Sequence, residues 1–106
     1  MPKPYYSEYV NHILRFYVSV EGRERKTIPH GADQLNYDAA DKVLRTLGET
    51  DRAILREVFA PSHDSLLYRV LDVAQSRKIP SSDIWTLISR VSRKIAEERN
   101  LIGGGD

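Results

Sequence analysis

No cysteine occurs among the 106 residues, which excludes disulfides, thiolate nucleophiles and the usual structural zinc sites. Stability must therefore come from packing, and the absence suits a reducing compartment. Long apolar runs are missing too. The best of them, "ILRFYVSV" at 13–20, is broken by Arg15 and is far shorter than the roughly 20 residues a bilayer span needs. The first twenty residues show no basic stretch followed by a clean apolar region, the pattern of a secretory signal. The expectation is a soluble, cytoplasmic protein with no membrane partner. Glycine-rich phosphate loops and paired zinc-protease histidines are also lacking. His12, His30 and His63 stand far apart with no acid or histidine at ligand spacing, so neither a metal nor another cofactor is expected. Asp33, Asp38 and Asp41 suit the positive end of a helix better than acid–base catalysis. Ser81 and Ser82 have no neighbouring base, and an enzyme is not expected.

The charge that is present is unevenly placed. A formal net charge of +1 argues against an indiscriminate nucleic-acid binder. From Arg69 to Arg99, however, seven cations (Arg69, Arg77, Lys78, Arg90, Arg93, Lys94, Arg99) face four acids (Asp72, Asp83, Glu97, Glu98), so this stretch carries 7 − 4 = +3. Residues 1–68 hold nine cations against ten acids.

Apolar residues recur at spacings of three and four, and clean alternation is absent, so the pattern predicts one all-α domain of about five helices. The first starts near Pro4 or Ser7, with Tyr6, Tyr9, Val10, Ile13, Phe16, Tyr17 and Val20 on one broad face, although "YVSV" would also suit a short strand. Residues 21–32, with Gly22, Pro29 and Gly31, read as an exposed connection. A second helix runs from Asp33 or Asn36 to Leu47, burying Ala40, Val43, Leu44 and Leu47 and closed by Gly48. Thr50 caps a third, which buries Ile54, Leu55, Val58 and Phe59 and stops at Pro61. A fourth starts near Asp64 or Ser65, with Leu66, Leu67, Val70, Leu71 and Ala74 inward. The fifth spans Ser81 to about Asn100, and the tail at 103–106 is expected to be disordered.

That fifth segment, "SSDIWTLISRVSRK", carries the chemistry. With successive residues about 100° apart, Ile84, Ile88, Val91 and Ile95 fall within roughly 40° of one another, with Leu87 about 60° to one side. Opposite them lie Ser82, Thr86, Ser89, Arg90, Arg93 and Glu97, and Trp85 falls on the boundary. Short hydroxyl side chains allow close approach to another molecule, and hydroxyls with guanidinium groups suit base edges and phosphates. Helix four, a "KIP" corner with Ile79 inward, and a Ser81- or Ser82-capped helix five whose amides can meet a phosphate form a helix-turn-helix at about 65–100. The bland alternative is a surface helix of a small bundle with tolerated serines and solvated arginines. Trp85 and the tyrosines of the first helix have their own alternative, the rim and interior of an ordinary core.

The stretch from "LGETDRAILREVF" through "VLDVAQSRKIPSSDIWTLISRVSRKIAEERNLI", roughly residues 47–102, resembles the fourth region of bacterial sigma factors and its phage relatives. Leu47 with Arg52, then Ala74, Ile79 and Ile84, occupy the matching places. "YYSEYVNHILRFY" is similar to short sigma-like or late transcriptional regulators of phages and integrated elements. The resemblance implies binding of double-stranded DNA at a promoter or operator, with contacts falling on Ser81, Ser82, Trp85, Thr86 and Arg90. Where the family often has arginine, glutamate and glutamine at the first contacts, this chain has Ser81, Ser82, Trp85 and Thr86.

The expected site is thus Ser81, Ser82, Trp85, Thr86, Ser89, Arg90 and Arg93, with Lys78 and Lys94 beside them. One helix reads only three or four base pairs, so a partner is expected, either a second copy as a homodimer or RNA polymerase. The competing expectation is a phage packaging or assembly module that oligomerises through Trp85 and the tyrosine-rich first helix.

Overall fold

Five helices follow one another along the chain: α1 (Ser7–Glu21), α2 (Ala32–Leu44), α3 (Glu49–Phe59), α4 (Leu66–Arg77) and α5 (Ser81–Glu98). The structure is a computed structural model that describes residues 6–21 and 31–100, and it contains no strand among them. The fold is all-α. "YVSV" is helical, with Tyr17 and Val20 buried and Val18 half-buried. The connection at 22–30 and the tail at 103–106 lie outside the described residues.

Helix α5 forms the spine of the core, packing against each of the other four helices. Its Ile84, Leu87, Ile88, Val91, Ile95 and Ala96 are all buried. They meet Val10, Ile13, Leu14 and Tyr17 of α1, Ala40, Val43 and Leu44 of α2, Ile54, Leu55, Val58 and Phe59 of α3, and Val70, Val73 and Ala74 of α4 in one continuous cluster. No helix among those described is long and apolar enough to cross a membrane.

Several expectations are corrected. Gly48 does not close α2 in a left-handed conformation: it is extended (φ −70°, ψ 166°) and is the N-cap of α3, whose first turn starts with Glu49 and contains Thr50. Two acids, Glu49 and Asp51, lie in that first turn, where negative charge favours the positive end of the helix. Helix α2 ends at Leu44, three residues early, and Leu47 is only half-buried. Tyr9 is 39% exposed, and Phe16 is half-buried while Leu14 is fully buried, so the inner face of α1 is rotated from the one read off the aromatics.

In α4 the apolar residues outnumber the places inside. Ser65 caps the helix, its hydroxyl accepting from the Tyr68 amide at 3.4 Å. Val70, Val73 and Ala74 take the buried positions, Leu66 is half-buried, and Leu67 and Leu71, expected inside, are exposed. A sector centred on Val70 and Val73 points away from Leu67 and Leu71 by about 100° or more.

Polar ties fasten the C-terminal end of α5. The Asn36 amide is buried, and its Oδ1 accepts from Arg99 Nε at 2.7 Å and from the Tyr9 hydroxyl at 3.3 Å, joining α1, α2 and α5. With Asn36 and then Arg99 as hydrogen-bonding neighbours, the Tyr9 phenol titrates below its ordinary value. Tyr17 donates to Asp41 at 2.8 Å, and its ring lies 4.9 Å from that of Tyr37.

Candidate nucleic-acid interface

Three residues, Lys78, Ile79 and Pro80, turn the chain from α4 into α5, and each has a distinct part. Lys78 is left-handed (φ 58°, ψ 44°), which lets its amide reach the Gln75 carbonyl at 3.3 Å and the Ile79 amide reach the Ala74 carbonyl at 3.0 Å. This is a Schellman closure, satisfying carbonyls that the helix end leaves orphaned. Ile79 then packs half-buried on the core. Pro80, with its fixed φ of −63° and ψ of 138°, disfavours helix at Ile79 and starts α5.

Pro80, not a serine, occupies the N-cap position, and no side chain caps α5. Ser81 already has helical geometry as the first residue of α5, so its hydroxyl cannot reach back as a cap; the expected serine cap is corrected. The Asp83 amide bonds to the Pro80 carbonyl at 3.1 Å, which leaves the Ser81 and Ser82 amides outside the helical ladder.

Beyond this corner the expected stripe lies on the surface. Ser82, Thr86, Ser89, Arg90, Arg93 and Lys94 are exposed, as is Lys78 at the corner, while Ser81 and Trp85 are half-buried. The stripe is not purely cationic. Asp83 and Glu97 are exposed on it, Arg93 Nε stands 3.5 Å from Glu97 Oε1, and Arg90 Nη2 stands 3.7 Å from Asp51 Oδ2 of α3. Exposed pairs of this kind are worth little and exchange readily for a stronger anion.

Two nearby cations are committed elsewhere. Arg77 Nε donates to both carboxylate oxygens of Glu57, at 3.1 and 3.2 Å, and Nη2 adds a third contact. That carboxylate raises the Arg77 guanidinium still further above neutrality. Arg99 is held by Asn36. Lys78, Arg90, Arg93 and Lys94 are the cations left facing outward around α5.

Trp85 borders a groove of about 290 Å³ where the start of α1, the start of α4 and the outer edge of α5 converge. Tyr6, Ser7 and Leu66 form one wall, and Trp85, Ser89 and Arg93 the other. A second concavity, of about 280 Å³, brings His12 and Arg15 of α1 to Arg69 of α4. Arg69 Nη2 donates to the Glu57 carbonyl at 2.5 Å, while its buried Nε has no partner. Sequence reading missed this cluster. The spacing of His12 and Arg15 on one helix face was legible, but the arrival of Arg69 from another helix was not.

No family model matches the chain, and no curated protein or solved structure is significantly similar to it. What the fold and this face define is a small all-α domain whose last two helices meet at a three-residue corner, the second showing solvent a stripe of hydroxyl and guanidinium groups.

Proposed function

We propose that this chain binds double-stranded DNA through the outer stripe of α5 and acts as a small transcriptional regulator of the sigma region-four-like kind. One observation carries this: Ser82, Thr86, Ser89, Arg90 and Arg93 share an exposed stripe on the helix that follows the corner. The short residues of the first half let the backbone come near base edges, and the arginines of the second half lie where a groove wall would offer phosphates. The unladdered Ser81 and Ser82 amides add a weak positive end, offset by the exposed Asp83 carboxylate.

With Lys78, Arg90, Arg93 and Lys94 as the phosphate contacts, the logarithm of affinity should fall against the logarithm of salt with a slope of about −3 to −4. Fluorescence anisotropy of a labelled random duplex, titrated at low and moderate salt, measures it. Replacing both Arg90→Ala and Arg93→Ala should weaken binding and reduce the slope by about 2, with helix content unchanged because both residues are exposed. Absence of salt-sensitive binding by the folded protein would overturn this function.

A second reading, the packaging or assembly module, is favoured by the groove that Tyr6 and Trp85 both line. It predicts no salt-dependent DNA affinity and a Trp85 fluorescence shift on adding a protein partner instead.

A further inference from the structure

The concavity that joins α1 to α4 gathers more positive charge than the chain itself answers. His12 and Arg15, three residues apart on α1, line it together with Arg69 of α4. The buried Val58 and Phe59 of α3 give it an apolar part, where charges interact more strongly than in open water. Arg69 is half-buried, and its guanidinium is fixed by the bond from Nη2 to the Glu57 carbonyl, a neutral acceptor, while Nε finds no partner. The carboxylate of the same Glu57 is committed to Arg77. Thus one residue serves both arginines, and only Arg77 receives a counter-charge. None of Arg69, Arg15 and His12 makes an ion pair among the described residues, and neither does Asp64, the one carboxylate that lines the concavity. A guanidinium drawn partly out of water without a counter-charge is costly, and an orphaned buried donor of this kind calls for an anion that completes it.

We propose that this concavity binds a terminal phosphate group, with Arg69 and Arg15 as its main ligands and His12 and Ser62 beside them. The Ser62 Oγ accepts from the Asp64 amide at 3.0 Å, which leaves its hydroxyl hydrogen to donate. A terminal phosphate offers three acceptor oxygens and close to two charges, which suits donors arriving from α1, α4 and the connection between α3 and α4. A backbone phosphodiester carries one charge and is flanked by sugar on both sides, so it fills such a concavity less well. The volume of about 280 Å³ admits the phosphate and the first atoms of whatever bears it. Asp64 opposes the ligand and sets its affinity below what the three basic groups alone would give.

None of these residues belongs to the α5 stripe, so failure here and failure of the DNA reading are separate outcomes. Proton–nitrogen NMR of the arginine Nε groups of the full chain, titrated with inorganic phosphate against sodium chloride of equal ionic strength, should show saturable shifts at Arg15 and Arg69. The dissociation constant should be on the order of 1 mM. Arg15→Ala should weaken binding about tenfold, and Asp64→Asn should strengthen it about threefold by removing the opposing charge. Both positions are exposed and their side chains have no partner among the described residues, so far-UV circular dichroism should stay unchanged. The joint change Arg90→Ala with Arg93→Ala should leave the phosphate titration as it is. Glycerol phosphate in place of inorganic phosphate identifies the source: tighter binding assigns the site to a phosphate monoester, weaker binding to the free ion. The absence of saturation by about 20 mM phosphate, indifference to Arg15→Ala, or no gain from Asp64→Asn would each overturn the site. Displacement of phosphate by a random duplex would assign these residues to the DNA backbone and overturn the terminal-phosphate assignment.

Discussion

Helices α4 and α5 lie side by side, each with a buried side and a stripe in water, and the two stripes are chemically opposite. That of α5 is serine, threonine, arginine and lysine with Asp83 and Glu97 among them; that of α4 is led by leucine and tyrosine. Hydroxyl and guanidinium groups lose nothing by staying hydrated, so the surface of α5 is stable as it stands and suits a polar, anionic partner. Leu67 and Leu71 of α4, each about half in water, forgo about half of the roughly 1.5–3 kcal/mol that full burial would bring. Two neighbouring helices therefore present chemically opposite surfaces to water.

The largest effect that tests this contrast is on stability. Ile95 of α5 is fully buried, and Ile95→Ala should lower the unfolding free energy by about 2–5 kcal/mol in urea denaturation. Leu71→Ala removes a side chain of similar size from α4 but should cost less than about 1 kcal/mol at dilute concentration, because nearly half of it is already in water. Equal losses would mean that Leu71 is inside, and the apolar stripe would vanish with the contrast.

A smaller effect separates the two ends of α5. Asn36→Ala strands Arg99 Nε and the Tyr9 hydroxyl and should cost about 1–3 kcal/mol in thermal or urea melts, while the DNA affinity of the folded fraction stays unchanged. The outward arginines should show the reverse, with affinity lost and stability kept. If Asn36→Ala weakens DNA binding as much as the Arg90 and Arg93 changes do, the C-terminal end of α5 belongs to the interface.

How far the sequence could be read differs along the same line. In α5 the apolar residues fill their stripe without surplus, so the wheel separated Ile84, Ile88, Val91 and Ile95 from Ser82, Thr86 and Arg93 correctly. In α4, "LLYRVLDVA" offers apolar residues on nearly every side, and only the neighbours decide which are covered. Periodicity then placed Leu67 and Leu71 inside and overlooked Val73. The contacts that join distant segments, Asn36 with Arg99 and Arg77 with Glu57, leave no trace in local spacing. Caps were legible where a side chain makes them, as Ser65 does. They were misread where backbone geometry does the work, as at Gly48 and Pro80.

The corner between the two helices offers the smallest and sharpest test. Lys78 holds φ at 58°, a conformation that crowds its Cβ against the backbone and that glycine adopts freely. The Schellman bonds from Lys78 and Ile79 require this geometry whatever residue supplies it, so Lys78→Gly should keep the corner intact. The relief is worth about 1 kcal/mol, diminished by the greater freedom glycine has in the unfolded chain, so the melting temperature should rise by a few degrees. Lys78→Val should do the opposite, since a β-branched residue tolerates positive φ least. The lysine that holds this strained backbone is also an exposed cation at the corner between the two helices. Lys78→Gly should therefore give a more stable protein that binds DNA with a salt slope smaller by about 1. A gain in stability with the salt slope untouched would leave lysine at this position without a role in DNA binding.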